Sequence, residues 1–364
     1  MELKIGILGA GKIGTTIATL LESCEFCTAV ALGDERGDLK LGSLRKTSTK
    51  RLNVQRRAAL DAFVKRCDVI VSAAPYYLNR GIAEACAALR VSYFDLTEDI
   101  ATTKFIRQLA QKTKGVTFMP QCGLAPGAIN IVGGSLASSL KTVRSVEMRV
   151  GALPQFTSNQ MKYYLSWSTA GLLNEYCQPG EALHDGRRIT TLPLDGSERL
   201  TIDGVEYEAF NTSGGVATMC ETFAGKVGEL NYKTMRYPGH RDLMKFLLQD
   251  LNLSGQQELL RQIFDQEVPL TDNDVVVFYV NAVGCLDGEL VQRSFVKKIH
   301  GETVQGRKLS AIQLTTAAGV VAVLELFACG VLPRGFVKQE SVTLAQFLST
   351  QWGGHVFGEA RITT

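Results

Sequence analysis

MELKIGILGAGKIGTTIATLLES (residues 1–23) opens the chain with a hydrophobic run, then Gly9, Gly11 and Gly14, then apolar residues at helical spacing. Glycine weakens a strand or a helix by about 0.5–1 kcal/mol relative to alanine. A strand, such a loop and a helix in that order allow a tight turn at Gly9, close approach of a pyrophosphate at Gly11, and helix-on-strand packing at Gly14. The helix N-terminus would present its N–H groups and positive dipole end to the phosphates, with Lys12 and Ile13 in that first turn. The alternative is a structural turn in a fold that holds no dinucleotide.

The next residues support the dinucleotide. FCTAVALGD reads as a second strand ending on Asp34, 20 residues beyond Gly14. A carboxylate there can accept hydrogen bonds from ribose hydroxyls and would repel a 2′-phosphate, which favours NAD over NADP, and Arg36 is the residue able to reverse that preference. LNVQ is read as a short third strand, followed by the helix RRAALDAFVKR, the strand CDVIVSAAP, the helix NRGIAEACAALR, the strand VSYFDLTED, the helix ATTKFIRQLAQKT and the strand VTFMPQCG. Strands alternating with helices imply parallel βαβ units, and near-continuous apolar strands imply a sheet covered on both faces. The fold class is therefore α/β: a doubly wound parallel (Rossmann) nucleotide-binding domain over residues 1–128. Ligands lie at the carboxyl ends of such strands. That selects Ala73, Ala74, Pro75 and Tyr76 after the fourth strand, Asp95 to Asp99 after the fifth, and Cys122 to Gly127 after the sixth.

Beyond GLAPGAIN (residues 123–130) the pattern changes. KTVRSVEMRVGALP, RRITTLPL, RLTIDGVEYEAF, DVVVFYVNAVGCLDG and LVQRSFVKKIHG read as antiparallel strands, with helical patterns at STAGLLNEYC, CETFAGKVGEL and HRDLMKFLLQDL. An α+β substrate-binding and dimerisation domain with a mostly antiparallel sheet is assigned to residues 129–310. A C-terminal helix and tail, residues 311–364, is expected to return to the first domain, with substrate between the strand-end loops and the second domain.

Composition excludes several classes. At 364 residues two domains are expected, and a formal net charge of +3 argues against a nucleic-acid partner or a membrane surface. The basic stretch RKTSTKRLNVQRR (residues 45–57) reads as a solvated loop and strand edge. AIQLTTAAGVVAVLELFACGVL (residues 311–332) is long and apolar, but Gln313, Thr315, Thr316 and Glu325 make it a buried helix. No signal peptide is expected. Nine cysteines scattered among apolar neighbours fit reduced thiols in a cytoplasmic protein, and neither Cys24-x-x-Cys27 nor the four dispersed histidines suggest a metal.

The second half carries more specific strings. GALPQFTSNQMKYYLSWSTAGLLNEYCQPG (residues 151–180), EYEAFNTSGG (206–215), MRYPGH (235–240), GLAPGAIN and TTAAGVVAVLELFACGVLPRGFV resemble the saccharopine dehydrogenase family, most closely its short lysine 6-dehydrogenase-like branch. The resemblance spans essentially the whole chain. It implies NAD(P)-dependent oxidation at a carbon bearing an amine, and a homodimer. Members forming glutamate from saccharopine look like GLDPG where this chain has Ala125, which moves the expected substrate towards the ε-amine of lysine.

Hydride leaves such a carbon only after the nitrogen has lost a proton, so a base is needed: Asp95 or His240. Arg236 can fork a carboxylate. Tyr163, Tyr164, Ser166 and Trp167 alternate as in a strand and would pack a lysine stem, with Glu221 for an ammonium and Asn130 in the same cleft. Each has a plainer role in capping, packing or surface pairing. Alternatives are a saccharopine dehydrogenase or other opine-type imine reductase, and a catalytically silent NAD-binding sensor.

Overall fold

Most strands of the first half end on or close to a glycine, proline or acid, and helices return the chain to the same end of one sheet. The computed structural model describes residues 1–36, 42, 44–359 and the backbone of 361–363. In chain order the first half contains β1 (Leu3–Leu8), α1 (Lys12–Leu21), β2 (Cys27–Asp34), β3 (Thr47–Arg51), α2 (Arg57–Val64), β4 (Val69–Ser72), α3 (Asn79–Leu89), β5 (Ser92–Asp95), α4 (Ile100–Lys112) and β6 (Thr117–Met119). The sheet order is the short strand Gly335–Phe336, then β6, β5, β4, β1, β2, β3, and every pairing is parallel. The order reverses between β1 and β4, the switch point at which a doubly wound sheet binds its ligand.

The third strand is TSTKR rather than LNVQ. It is an edge strand, so it needs only a run able to extend beside β2, and it is almost wholly exposed. Apolar patterning, which guided the reading to LNVQ, carries no signal for a strand with no buried face.

The second half continues with α5 (Ala128–Ser138), β7 (Thr142–Pro154), α6 (Thr169–Cys177), β8 (Gly180–His184), β9 (Arg187–Thr191), β10 (Glu198–Ile202), β11 (Val205–Asn211), α7 (Met219–Phe223), β12 (Val227–Arg236), α8 (His240–Lys245), α9 (Gln257–Glu267), β13 (Asp274–Leu286), β14 (Glu289–His300) and α10 (Ala311–Ala328). Its sheet runs β10, β11, β12, β7, β13, β14, then Arg361–Thr363, with β12 and β7 the parallel pair in an otherwise antiparallel path. Three hairpins turn on Asp-Gly pairs: 185–186, 203–204 and 287–288, all with positive φ at both positions. Such turns match the right-handed twist of the flanking strands. RLTIDGVEYEAF is accordingly two strands, β10 and β11.

Two further readings are corrected. CETFAGKVGEL is helical only to Phe223, because Gly225 takes φ +72° and β12 begins at Val227. Residues 161–168 form no regular strand. Lys162 has φ +50°, and the Asn159 amide both donates to Tyr163 O (2.9 Å) and accepts from Tyr163 N (3.2 Å), closing a turn.

The chain forms two compact units: Met1–Ile131 with Thr303–Lys308 and Gln313–Gly358, and Val132–Glu302 with Leu309–Ile312 and Glu359–Thr364. In the second unit the Asp274 carboxylate accepts from Ala311 N (2.6 Å) and Ile312 N (3.0 Å), starting α10. In the first unit α10 lies so near the loop after β6 that a Cβ on Gly319 would fall 2.5 Å from Gly123 O. This is the one helix long and apolar enough to cross a membrane among the described residues, and it is largely buried within the protein.

Candidate active site

The glycine loop has the geometry that its spacing predicts. Gly9 takes φ +102°, and a Cβ there would lie 2.6 Å from Ala73 O; on Gly14 it would lie 1.8 Å from Gly9 O. At Gly11 it would meet nothing within 4 Å. Gly9 and Gly14 are thus required by the protein's own packing, while Gly11 opens to free space above a helix start that has no side-chain cap. The exposed Gly11 and Lys12 and the half-buried Ile13 border that space, as do Ala73, Ala74 and Pro75 after β4, with Ala73 N donating to Leu8 O at 2.8 Å. A dinucleotide pyrophosphate fits here: N–H groups and a dipole end for its charge, and no Cβ in its way.

Asp34 lies at the end of β2, but its carboxylate is heavily engaged. Oδ2 accepts from Ala10 N (2.6 Å) and Arg36 Nη2 (3.2 Å); Oδ1 accepts from Arg36 N (3.0 Å) and Arg36 Nε (2.8 Å). The Arg36 side chain, followed by the Ala10 N–H, draws the Asp34 carboxyl down to about 2 against the cost of partial burial.

At the end of β5, Asp95 is fully buried. Oδ1 accepts from Thr97 N and Gln121 N, both 3.0 Å, and Oδ2 accepts from Tyr93 Oη at 2.8 Å. Burial raises its carboxyl to about 6, opposed by those donors. The result is a knot tying β5 to the turn after β6, where Gln121 holds φ +67°. Glu98, three residues on, differs. It is half-buried, among the described residues its carboxylate is hydrogen-bonded only by its own backbone N–H, and burial raises its pKa, helped by the nearby Asp99 and Asp95. Asp99 instead caps α4 through Thr102 N at 2.6 Å. Tyr76, also half-buried, feels the charges of Asp99 and Glu98. Asn130 is buried and its Oδ1 accepts from Gly127 N (2.8 Å), fixing the GLAPG loop.

In the second unit, MRYPGH leads from β12 into α8 through an aromatic box. Arg236 is 2% exposed, and its guanidinium carbon lies 5.2 Å from the Tyr163 ring centre and 5.8 Å from that of Tyr176. Its Nη1 donates to Met235 O at 2.8 Å, and the buried Glu175 acts on it through its charge, but among the described residues its Nε and the buried Tyr163 hydroxyl have no hydrogen-bond partner. His240, equally buried, has both ring nitrogens occupied: Nδ1 at 2.9 Å from Met161 O and Nε2 at 3.2 Å from Tyr176 Oη. Since a carbonyl can only accept, Nδ1 carries the proton and Nε2 accepts from the tyrosine. Burial, followed by the Arg236 charge, drives its pKa down to about 3. The start of α8 is capped by Glu208, whose carboxylate accepts from Gly239 N (3.1 Å) and Arg241 N (2.7 Å).

The remaining candidates disperse. Only Tyr163 of its string faces Arg236. Tyr164 shares a hydrogen bond with the Ser158 hydroxyl, Ser166 is buried, and Trp167 covers Gly171, where a Cβ would fall 2.5 Å from the indole. Glu221 is exposed in the first turn of α7. The Cys24 and Cys27 thiols are buried and pushed up to about 12 and about 11 by that burial. No pattern in the sequence signals that His184, Asp185 and Glu229 meet, yet their ligand atoms lie within 4.8 Å of one another beside the exposed β8–β9 turn. Glu98 lay inside the Asp95–Asp99 stretch that the sequence selected, but neither its surroundings nor the open Nε of Arg236 could be read there, since neither openness nor satisfaction is a local property.

Comparison with known proteins accounts for both halves. The family model described as saccharopine dehydrogenase C-terminal domain matches residues 123–350, and that described as saccharopine dehydrogenase NADP binding domain matches residues 5–119. The mitochondrial alpha-aminoadipic semialdehyde synthase of Bos taurus is 21% identical over 323 residues, 83% of this chain and 34% of that protein. Saccharopine dehydrogenase (NADP(+), L-glutamate-forming) of Pyricularia oryzae is 24% identical over 194 residues, 50% of this chain and 42% of that one. The chain thus spans about a third of the length of the bovine relative. Apo saccharopine dehydrogenase (L-Glu forming) from Saccharomyces cerevisiae has the same fold, with a TM-score of 0.78 at 14% identity over 100% of both chains. With a dinucleotide cradle in its first unit and a family match over most of its length, this chain belongs to the saccharopine dehydrogenase family, and its cofactor is NAD(P).

Proposed function

We propose that the protein is an NAD(P)-dependent oxidoreductase acting on the carbon–nitrogen bond of an amino acid, with the ε-amine of L-lysine as its first substrate. The observation that carries the amino-acid part is the buried Arg236, whose Nε lacks an acceptor beside an equally unpartnered Tyr163 hydroxyl. A buried guanidinium with an open N–H is costly, and a carboxylate would satisfy both donors at once. Tyr163 and Tyr176 hold the guanidinium over their faces, so its direction is set before substrate arrives.

Bound NAD(P)+ supplies the hydride acceptor. The chain's own residues must then remove a proton from an ammonium whose ordinary pKa is about 10.4. Glu98 fits that role better than Asp95 or His240: among the described residues no neighbour donates to its carboxylate, and burial raises its pKa, both of which favour a base. Asp95 and His240 have every partner they need and serve as positioning residues for the turn after β6 and the Arg236 box.

The names of the matched relatives favour a second reading, saccharopine as substrate. That molecule carries more carboxylates and needs further cations. In the second unit Arg188 is held by Glu181 at 2.8 Å, and Lys162 donates to Pro238 O at 2.9 Å, which favours the smaller substrate. The test is NAD(P)H formation by the purified protein with L-lysine, saccharopine, ornithine and diaminopimelate at mildly alkaline pH. Turnover with lysine supports the proposal, turnover with saccharopine alone replaces it by the second reading, and cofactor binding without turnover on any amine points to a sensor.

A further inference from the structure

We propose that Glu175 binds the α-ammonium of the substrate, so that the Arg236 box takes an amino acid by both of its charges and rejects a carboxylate that lacks an α-amine. The inference rests on the reading of that box as a carboxylate site and goes beyond it to the class of molecule the box admits.

Four acids are buried among the described residues, and three of them gather backbone N–H groups. Asp95 takes those of Thr97 and Gln121, Glu208 those of Gly239 and Arg241, and Asp274 those of Ala311 and Ile312. Glu175 is placed differently. It lies inside α6, directly before Tyr176, whose ring centre is 5.8 Å from the Arg236 guanidinium carbon. Ser213 N donates to Glu175 O at 3.1 Å and ties the helix there to the loop after β11. Tyr232 and Arg236 stand on one face of β12, four residues apart. The charge of Glu175 reaches Arg236 and all three tyrosines around it, Tyr163, Tyr176 and Tyr232. All five residues belong to the second unit, and all are buried. Glu221, which the sequence suggested for an ammonium, is instead exposed on α7.

The box therefore combines one cation and one anion in aromatic surroundings that leave little water to screen either. A simple carboxylate would satisfy the open Arg236 Nε and the Tyr163 hydroxyl, but would bring a second negative charge beside Glu175. A simple amine would bring a second positive charge beside Arg236. An α-amino acid does neither, because its carboxylate and its ammonium sit one carbon apart and no net charge is added on binding. An ionised carboxylate offers about four lone-pair sites, so Glu175 can keep its present neighbours and still accept from an ammonium. With both α-groups held in this way, the ε-amine is the one that a lysine leaves free to react.

The experiment is calorimetric titration of the full-length protein, with NADPH or NADH present, using L-norleucine, hexanoate and pentylamine. L-Norleucine has the carbon chain of lysine without its ε-amine, and a reduced cofactor accepts no hydride, so the readout is independent of which amine is oxidised. The wild type should bind L-norleucine at least about 10-fold more tightly than hexanoate or pentylamine. Glu175→Gln should weaken L-norleucine by about 10-fold or more and leave hexanoate within about 3-fold, whereas Glu175→Asp, which keeps the charge, should retain part of the preference. A wild type that binds hexanoate as tightly as L-norleucine would overturn the proposal, as would a Glu175→Gln variant of unchanged melting temperature that keeps the full preference. Binding of none of the three to the folded wild type would overturn the carboxylate reading of the box and the proposal with it. A preference for L-norleucine that depends on Glu175, in a protein that turns over no amine, would uphold the proposal and remove the oxidoreductase reading alone.

Discussion

The end of β2 and the aromatic box of the second unit both centre on an arginine, and the two arginines stand in opposite surroundings. Arg36 is mostly exposed, has found an acid, and still has donors to spare. Arg236 is 2% exposed, lies against tyrosine rings with the charge of the buried Glu175 nearby, and among the described residues has one donor without an acceptor. Water lets the first trade partners at low cost, whereas the second is committed, since an open buried N–H is expensive until something fills the vacancy. Burial alone does not decide the role, however. His240, four residues from Arg236 and just as buried, has both nitrogens occupied, and Asp95 has three donors on its carboxylate. A buried group with all its partners holds structure together; one lacking a partner is where a ligand is expected.

That criterion can be broken most directly at the acids after β5. Glu98→Gln should lower kcat by about 10²–10⁴-fold, the usual worth of a general base. Asp95→Asn should lower it by less than about 5-fold, because an asparagine keeps the acceptor for both N–H groups and can donate to Tyr93 Oη. The reverse order in steady-state kinetics would return the base to Asp95.

Next in size is Arg236→Met. The change leaves the buried Glu175 without its nearby cation, so the melting temperature should fall, while kcat/KM of the folded enzyme falls at least about 100-fold through KM. A collapse of the melting temperature, with KM unchanged in the folded fraction, would make Arg236 a structural residue like His240.

The glycine loop gives a third contrast. Gly14→Ala puts a Cβ 1.8 Å from Gly9 O and should destabilise the first unit by several kcal/mol, whereas Gly11→Ala meets nothing within 4 Å. Its thermal unfolding should match the wild type, and its dinucleotide affinity should drop by about 10-fold or more.

The smallest effect concerns pH. His240 is held at about 3, below its ordinary 6.5, so its contribution to stability is complete above about pH 6.5 and is lost as pH falls towards 3. Asp95 is raised from 3.8 to about 6, so its contribution is complete below about pH 4 and is lost as pH rises through 6. Acidification from pH 6.5 to 4 should therefore weaken the second unit and support the first. Each unit holds one tryptophan, Trp167 in the second and Trp352 in the first, so single-tryptophan variants followed by fluorescence in urea separate the two. Parallel acid sensitivity of both probes would contradict the assignment.

Legibility followed the reach of each signal. The parallel strands β1, β2, β4, β5 and β6 were readable because buried strands bounded by glycine and proline announce themselves within a few residues. The edge strand β3 was not, having no apolar face to announce. Gly9, Gly11 and Gly14 were readable as a set, yet only coordinates separate Gly11, which opens to solvent, from the two that packing demands. Asp34 was legible as an acid in the expected place, but its saturation by Arg36 was not. His240 and Asp95 were chosen for their chemistry, and the hydrogen-bond partners on which their proposed positioning roles rest were not legible.

By itself the sequence determined the doubly wound first half, the hairpins turning on Asp-Gly in the second, and the family, because backbone angles, side-chain periodicity and short strings are local. Tertiary structure alone decided which charged groups are satisfied. Whether Arg236 finds an acceptor, or Asp34 has one left to give, depends on residues brought together by folding, and the free energy of a polar group in a protein is set by those partners and by the water they exclude.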